Sequence, residues 1–304
     1  MLKLTSLAFG ASLNNSFLIP SLSIDPIRIR TRSIPADGRK IPVVGMGTWI
    51  QFDVGTSKSG RKNVLGVLNN AREFGGKVID TSPMYGTAEQ VIGDLTQKTG
   101  HPDHYFYATK VWTRGREEGI EQLRASMSKM KRNSLDLVQI HNLMDWKTHL
   151  QTLQTWKDNG KIRYIGITHY RNSAHDRLAD IIKNEPVDFV QCNYSIRVPH
   201  AEQHLLKVAQ DNGVAVIINR PFEGGAVFDF IRRQKVQLPQ WASEFEADNW
   251  PQFFLKFILS HPAVTCVIPG TSNPIHELEN VKAGYGLLPD EAMRKKMSDF
   301  IRSL

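Results

Sequence analysis

Cysteine is scarce. Two residues in a chain of 304, Cys192 and Cys266, exclude a disulfide framework. Each sits inside an apolar run, FVQCNY and VTCVIPG, the setting of a buried reduced thiol. Long hydrophobic runs are missing too: no stretch of about 18 apolar residues escapes polar interruption, so no membrane span is expected. Positive charge is in excess, at +8, but it is not concentrated. Residues 1–40 hold six Lys/Arg against two Asp/Glu, half of that excess, and the rest forms no basic stripe interleaved with aromatics. That distribution argues against a nucleic-acid partner and suits a small anionic ligand.

What is present is an ordinary globular composition, 41% hydrophobic and 22% charged, with no break that would divide it into two units. The exception is the first thirty residues. MLKLTSLAFGASLNNSFLIPSLSIDP has a lone Lys3, an apolar Ser-rich stretch and an interruption at Asn14-Asn15. It reads as the hydrophobic part of an export signal, as the remainder of a longer twin-arginine signal, or as a plain disordered leader. Residues 1–31 are therefore expected outside the fold and residues 32–304 to form one domain. The protein is expected in the cytoplasm, or in the periplasm if the leader is an export signal.

From Arg32 the pattern becomes regular. TRSIPADGRKIPVVGMGTW holds two short extended runs joined by Asp37-Gly38, a hairpin signal. A short β-branched run, a loop and an amphipathic stretch then recur. The strands read as 43–47, 77–81, 105–110, 137–141, 162–168, 189–194, 214–219 and 265–269, and the helices as 61–74, 87–98, 117–131, 146–159, 174–183, 200–211, 250–260 and 274–283. Strands this apolar, separated by helices of this length, predict a parallel sheet buried on both faces. Eight such units in about 250 residues match a (β/α)8 TIM barrel of the α/β class, with the N-terminal β-hairpin closing its bottom. An open doubly wound sheet is the alternative, but no GxGxxG follows the first strand, where Gly45-Met46-Gly47-Thr48-Trp49 is too short for that fingerprint.

In a (β/α)8 barrel the site is built where strands end. The second, third and fourth strands end on Asp80, Lys110 and His141, and Tyr85 follows Asp80 by five positions in VIDTSPMYG. A carboxylate, an ammonium, an imidazole and a phenol thus converge at one mouth. Thr87 and Gln90 read as a capping box that steadies the helix beside Tyr85. A phenol with a pKa near about 10 serves as a general acid when a cation stabilises the phenolate it leaves. Lys110 is placed as that cation, Asp80 to hold it charged, and His141 to orient a carbonyl oxygen. A proton donor with no nucleophile beside it suits carbonyl reduction, with hydride from a nicotinamide cofactor. At the far end, Asn273 as N-cap and Pro274 as first helical residue open a helix toward an anion.

Residues 33–284 resemble the aldo-keto reductases almost throughout: the hairpin, GMGTW, DTSPMYGTAEQVIG, the ATK strand end, LVQIH, YIGIT and IPGTSNPIHELEN. The resemblance implies NAD(P)H-dependent reduction of aldehydes or ketones, and its catalytic tetrad falls on Asp80, Tyr85, Lys110 and His141. It implies an extended nucleotide, with NADP(H) favoured and NAD(H) possible. The nucleotide would lie along Gly47, Thr48 and Trp49, then Thr168, His169 and Gln191, then Asn219, Arg220 and Pro221, and finally Gly270, Thr271, His276, Glu279 and Asn280. This chain departs from the family at three places. Thr168-His169 replaces a usual Ser-Asn, Asn219-Arg220-Pro221-Phe222 lacks the aromatic that stacks on the nicotinamide, and Gly270 and His276 stand where Lys and Arg often bind the 2′-phosphate.

Other features carry weaker readings. His200 and His204 have a zinc-compatible spacing, but no third ligand is apparent, so an exposed amphipathic helix and no metal are expected. Trp156 is expected to pack, while Trp146, Trp241 and Trp250 are candidates for lining a substrate pocket. The chain ends soon after DEAMRKKMSDFIRS without a long C-terminal loop, which predicts an open mouth unless the segment 222–250 covers it. A small carbonyl compound is the expected partner, with no obligate protein partner evident. The rival class is a nucleotide-binding sensor or regulatory subunit on the same barrel; Lys110 and Tyr85 argue against a metal-dependent hydrolase.

Overall fold

The computed structural model describes residues 29–304. The readings of the leader over residues 1–28 lie outside the described residues. The fold begins earlier than the expected boundary at residue 32, because Arg30 N donates to Gly284 O (2.8 Å) and Thr31 already belongs to a strand.

That strand, β1 (Thr31–Ser33), pairs antiparallel with β2 (Lys40–Pro42) around the Asp37-Gly38 turn. Ile34 and Ile41 of the hairpin are fully buried with Phe106, Tyr164 and Phe189, so the hairpin plugs the barrel floor. The Tyr164 hydroxyl donates to Asp37 Oδ2 (2.6 Å) and ties turn to floor.

Eight parallel strands follow, each bonded to the next: β3 (Met46–Gly47), β4 (Val78–Asp80), β5 (Phe106–Val111), β6 (Leu135–His141), β7 (Ile162–Thr168), β8 (Phe189–Asn193), β9 (Ala215–Asn219) and β10 (Val264–Val267). Parallel bridges Val44↔Val267 and Gly47↔Gly270 join last strand to first. The strand read at 43–47 is thus shorter than expected, with Val44 contributing a single bridge. Helices α1 (Lys58–Glu73), α2 (Ala88–Lys98), α3 (Arg116–Lys129), α4 (Trp146–Asp158), α5 (His175–Asn184), α6 (Leu205–Asp211), α7 (Ala226–Gln234), α8 (Trp250–Leu259), α9 (Pro274–Lys282) and α10 (Glu291–Arg302) complete the described chain.

Strand alternation sorts the core into two clusters, because successive side chains point to opposite faces. Val78, Phe106, Ala108, Leu137, Tyr164, Phe189, Ala215, Ile217 and Cys266 fill the inside. Their sequence neighbours Ile79, Tyr107, Val138, Ile165, Val190 and Val216 pack outward against the helices. Both cysteines are buried and free, Cys266 inside and Cys192 outside.

Two elements differ from the sequence reading. Helix α7 fills part of segment 222–250, burying Val227 and Ile231 at helical spacing. Residues His200–Gln203 form only a 3-10 turn, and His204 (φ −151°) breaks from it, so His200 and His204 share no helix face. His200 instead places Nδ1 3.0 Å from Nδ1 of His175.

Candidate active site

The inner alternation, continued to the C-terminal ends of the strands, turns from apolar to polar. Above Val78 comes Asp80, above Ala108 comes Lys110, above Leu137 come Gln139 and His141, and above Phe189 comes Gln191. Lys110 Nζ donates to Asp80 Oδ1 (2.6 Å) and to Thr81 O (2.7 Å). The other carboxylate oxygen, Asp80 Oδ2, accepts from Gln139 Nε2 and Gln191 Nε2, both at 2.8 Å. Thr168 Oγ1 and Asn219 Nδ2 donate in turn to Gln191 Oε1. A buried ion pair persists only when its remaining donors and acceptors are satisfied, and here both oxygens of Asp80 are. Burial pulls the Lys110 ammonium down, but Asp80 and Tyr85 together outweigh it and hold the amine above its ordinary value.

Tyr85 sits in the loop after β4, with Lys110 Nζ 5.1 Å from its ring centroid. Burial pushes the phenol above its ordinary value; Lys110 opposes that shift and Asp80 adds to it. The loop is fixed by a contact from the loop after β3, where Asp53 Oδ1 accepts from Thr87 N (2.8 Å) and Thr87 Oγ1 (2.7 Å). Between Tyr85 and Thr87, Gly86 is left-handed (φ +56°), and a Cβ there would lie 2.2 Å from Asp53 Oδ2. Only glycine fits. The expected capping box is not formed: Thr87 makes no side-chain cap, because its hydroxyl is engaged by Asp53 and Gly55 N, and Gln90 reaches Asp94 instead.

His141 approaches Tyr85 edge-on with ring centroids 6.1 Å apart. Burial, followed by the charges of Lys110 and His169, pushes its pKa down to about 3, so the imidazole is neutral at physiological pH. Its Nδ1 lies 3.3 Å from Ser82 Oγ.

Asp80, Tyr85, His141 and Gln191 line a cavity of about 780 Å3, with Lys110 fully buried behind them. Of the residues expected along a nucleotide, Gly47, Thr48, Trp49, Thr168, Gln191, Asn219, Arg220, Pro221 and Gly270 line it too. His169 stacks on Tyr170 (5.5 Å) beside it. Thr271, His276, Glu279 and Asn280 do not line it and sit farther along, at or just before α9. Asn273 caps that helix, accepting from Ile275 N (2.9 Å) with Pro274 in the first turn. At the position expected to stack, Asn219 presents an amide; Phe222 lies in the cavity wall against Phe228 (4.8 Å).

Several lining residues escape a reading of the sequence: Met84, Trp112, Asn142, Tyr170 and Phe228, with Gln139 beneath them. Gln139 is legible in LVQIH, since it alternates with His141. Trp146, Trp241 and Trp250, the candidates for lining a substrate pocket, do not line the cavity. Trp241 and Trp250 pack on Phe253, Trp146 and Trp156 pack against the outer core, and Trp49 and Trp112 line the mouth instead. Glu277 of α9 is buried with no well-formed hydrogen bond to either carboxyl oxygen, and burial, only partly offset by the nearby Asn280 side chain, raises its pKa well above the ordinary value.

The model of the aldo/keto reductase family matches residues 43–296. Among curated relatives, aldo-keto reductase YhdN of Bacillus subtilis is 24% identical over 61% of this chain, and the match spans 60% of that relative's length. An NADH-specific methylglyoxal reductase of Escherichia coli is 25% identical over 79% of this chain and 89% of its own length. Among solved structures, an aldo-keto reductase from Klebsiella pneumoniae in complex with NADPH superposes with a TM-score of 0.72 at 17% identity, covering 91% of this chain and 96% of that one. With eight parallel strands, a hairpin-plugged floor and a family match over most of its length, this chain belongs to the aldo/keto reductase family.

Proposed function

We propose that the chain reduces aldehydes or ketones to alcohols with a nicotinamide nucleotide, and that Tyr85 is the acid. One observation carries the reading: a phenol beside a buried ammonium that a fully satisfied carboxylate holds in place. When bound, the reduced nicotinamide supplies the hydride.

The remaining work falls to the chain. The carbonyl oxygen gains an electron pair as its carbon is reduced and must receive a proton. Tyr85 donates its hydroxyl proton to that oxygen and becomes a phenolate. Lys110 stabilises the phenolate in place, which offsets the cost of a buried negative charge. Asp80, Gln139 and Gln191 keep the ammonium charged and oriented. His141 is neutral and so keeps one N–H. In the tautomer that takes the Ser82 hydroxyl hydrogen at Nδ1, the ring hydrogen sits on Nε2 and is donated to the carbonyl oxygen.

The residues present fit the nucleotide. Asn219 Oδ1 is a buried acceptor without a partner beside Thr168 and Gln191, which suits the NH2 of a carboxamide. Gly270 approaches Gly47 so closely that a Cβ would lie 2.9 Å from its carbonyl oxygen, so a larger residue would narrow the groove. Gly270, Thr271 and the start of α9 would then take phosphate, and His276, Glu279 and Asn280 the adenosine end. No Lys or Arg occupies 270–280, and a relative is named for NADH, which supports admitting NADH beside NADPH.

The test is the loss of reduced-nicotinamide absorbance with NADPH and then NADH against aldehydes, dicarbonyls and ketones. Turnover is expected. Tight nucleotide binding with no turnover of any carbonyl would favour a sensor.

A further inference from the structure

We propose that a second cavity, beside the first, is an anion-binding subsite that takes the carboxylate or phosphate end of the carbonyl substrate. It is an open cleft of about 480 Å3 between the loops that follow β7, β8 and β9. Tyr170 and Arg220 line both cavities, so one extended molecule can occupy the two together.

The charge arrangement is what points to an anion. Arg171, after β7, and Arg220, after β9, place their guanidinium carbons 5.3 Å and 5.8 Å from the centroid of the same Tyr170 ring. Both guanidinium groups are exposed to solvent at the cleft. Among the described residues neither guanidinium has a carboxylate oxygen within 4 Å. The carboxylate in the lining, Glu223, is already engaged, accepting from Ser195 Oγ (2.8 Å) and pairing with Arg197 (3.3 Å). The facing wall is ordered to donate. His175 Nε2 donates to Asn193 Oδ1 (3.1 Å), and Asn193 Nδ2 donates to Asn172 Oδ1 (2.6 Å), which leaves the NH2 of Asn172 for a ligand. A carboxylate or phosphate in the cleft gains a charge-assisted partner from these otherwise unpaired arginines and matches the planar fork of a guanidinium.

Placing the carbonyl end rests on the reductase reading; placing the anion end does not. The phosphates of the nucleotide offer the same chemistry from another source, and the experiment separates the two. Wild type and Arg171→Gln are compared for kcat/KM on 4-carboxybenzaldehyde and on its neutral isostere 4-carbamoylbenzaldehyde. Both proteins are also titrated with NADPH, and with the unreactive benzene-1,4-dicarboxylate, by tryptophan fluorescence.

Loss of one hydrogen bond to a charged group corresponds to about tenfold or more in affinity. The preference for the carboxylate over the amide should therefore fall about tenfold or more in Arg171→Gln, with dicarboxylate binding weakened alongside and the NADPH Kd unchanged. An unchanged preference, or equal loss on both aldehydes with a weakened NADPH Kd, overturns the subsite. Dicarboxylate binding that is lost in the variant, in a wild type that reduces no carbonyl at all, supports the anion subsite and overturns the reductase reading instead.

Discussion

Lys110 Nζ lies 2.6 Å from Asp80 Oδ1, and both side chains are essentially excluded from solvent, at 0% and 3% exposure. Removing one partner leaves the other charge buried and alone, which costs about 3–5 kcal/mol. Lys110→Met should therefore lower unfolding free energy by that order and reduce kcat by about 10²- to 10⁴-fold. The double variant Asp80→Asn/Lys110→Met separates the effects: stability measured in urea should recover while kcat stays low.

The pH dependence follows from His141. Its folded pKa of about 3 lies below its ordinary value of 6.5, so the stability it contributes is complete above about pH 6.5 and is lost as pH falls toward 3. Between pH 7.5 and 4.5, His141→Asn should lose less unfolding free energy than the wild type, as measured by urea titration. Activity should show no histidine limb near pH 6.5, and its basic limb should follow the raised phenol of Tyr85.

Glu277 gives the opposite sign. Its buried carboxyl has a raised pKa, so its contribution is complete below its ordinary pKa and is lost as pH rises. Glu277→Gln should raise Tm at pH 7.5 and raise it less at pH 4.5. The gain comes from no longer having to protonate the carboxyl on folding, about 1.4 kcal/mol for each pH unit between its ordinary and its raised pKa.

Gly86→Ala tests the clamp on the tyrosine loop. A left-handed alanine costs about 1–2 kcal/mol, and its methyl meets the Asp53 carboxylate. Both Tm and kcat should fall. Adding Asp53→Ala removes the clash and should restore part of the Tm but not kcat, because Thr87 then loses its anchor.

Period-two alternation makes Asp80, Lys110 and His141 legible in the amino-acid sequence, since a strand that ends on a polar residue in a buried sheet must aim it at the rim. Tyr85 is legible only through its spacing. The clamp on its loop is not, because Asp53 and Thr87 meet across 34 positions. The capping box fails for the same reason: a distant carboxylate takes the hydroxyl the local motif requires. His200 and His204 mislead because spacing implies a shared face only if the helix forms, and the chain breaks at His204. Trp112 and Asn142 escape notice because they sit just past the strand ends, where loop geometry sets direction.

The central claim is that Tyr85 gives the proton, and Tyr85→Phe tests it most directly, because the change removes one oxygen and keeps the ring. The measurement is kcat for an aldehyde that the wild type reduces, taken beside the Kd for NADPH. The account predicts a fall of about 10²-fold or more in kcat with the Kd unchanged. Turnover in Tyr85→Phe within a few-fold of wild type would contradict it.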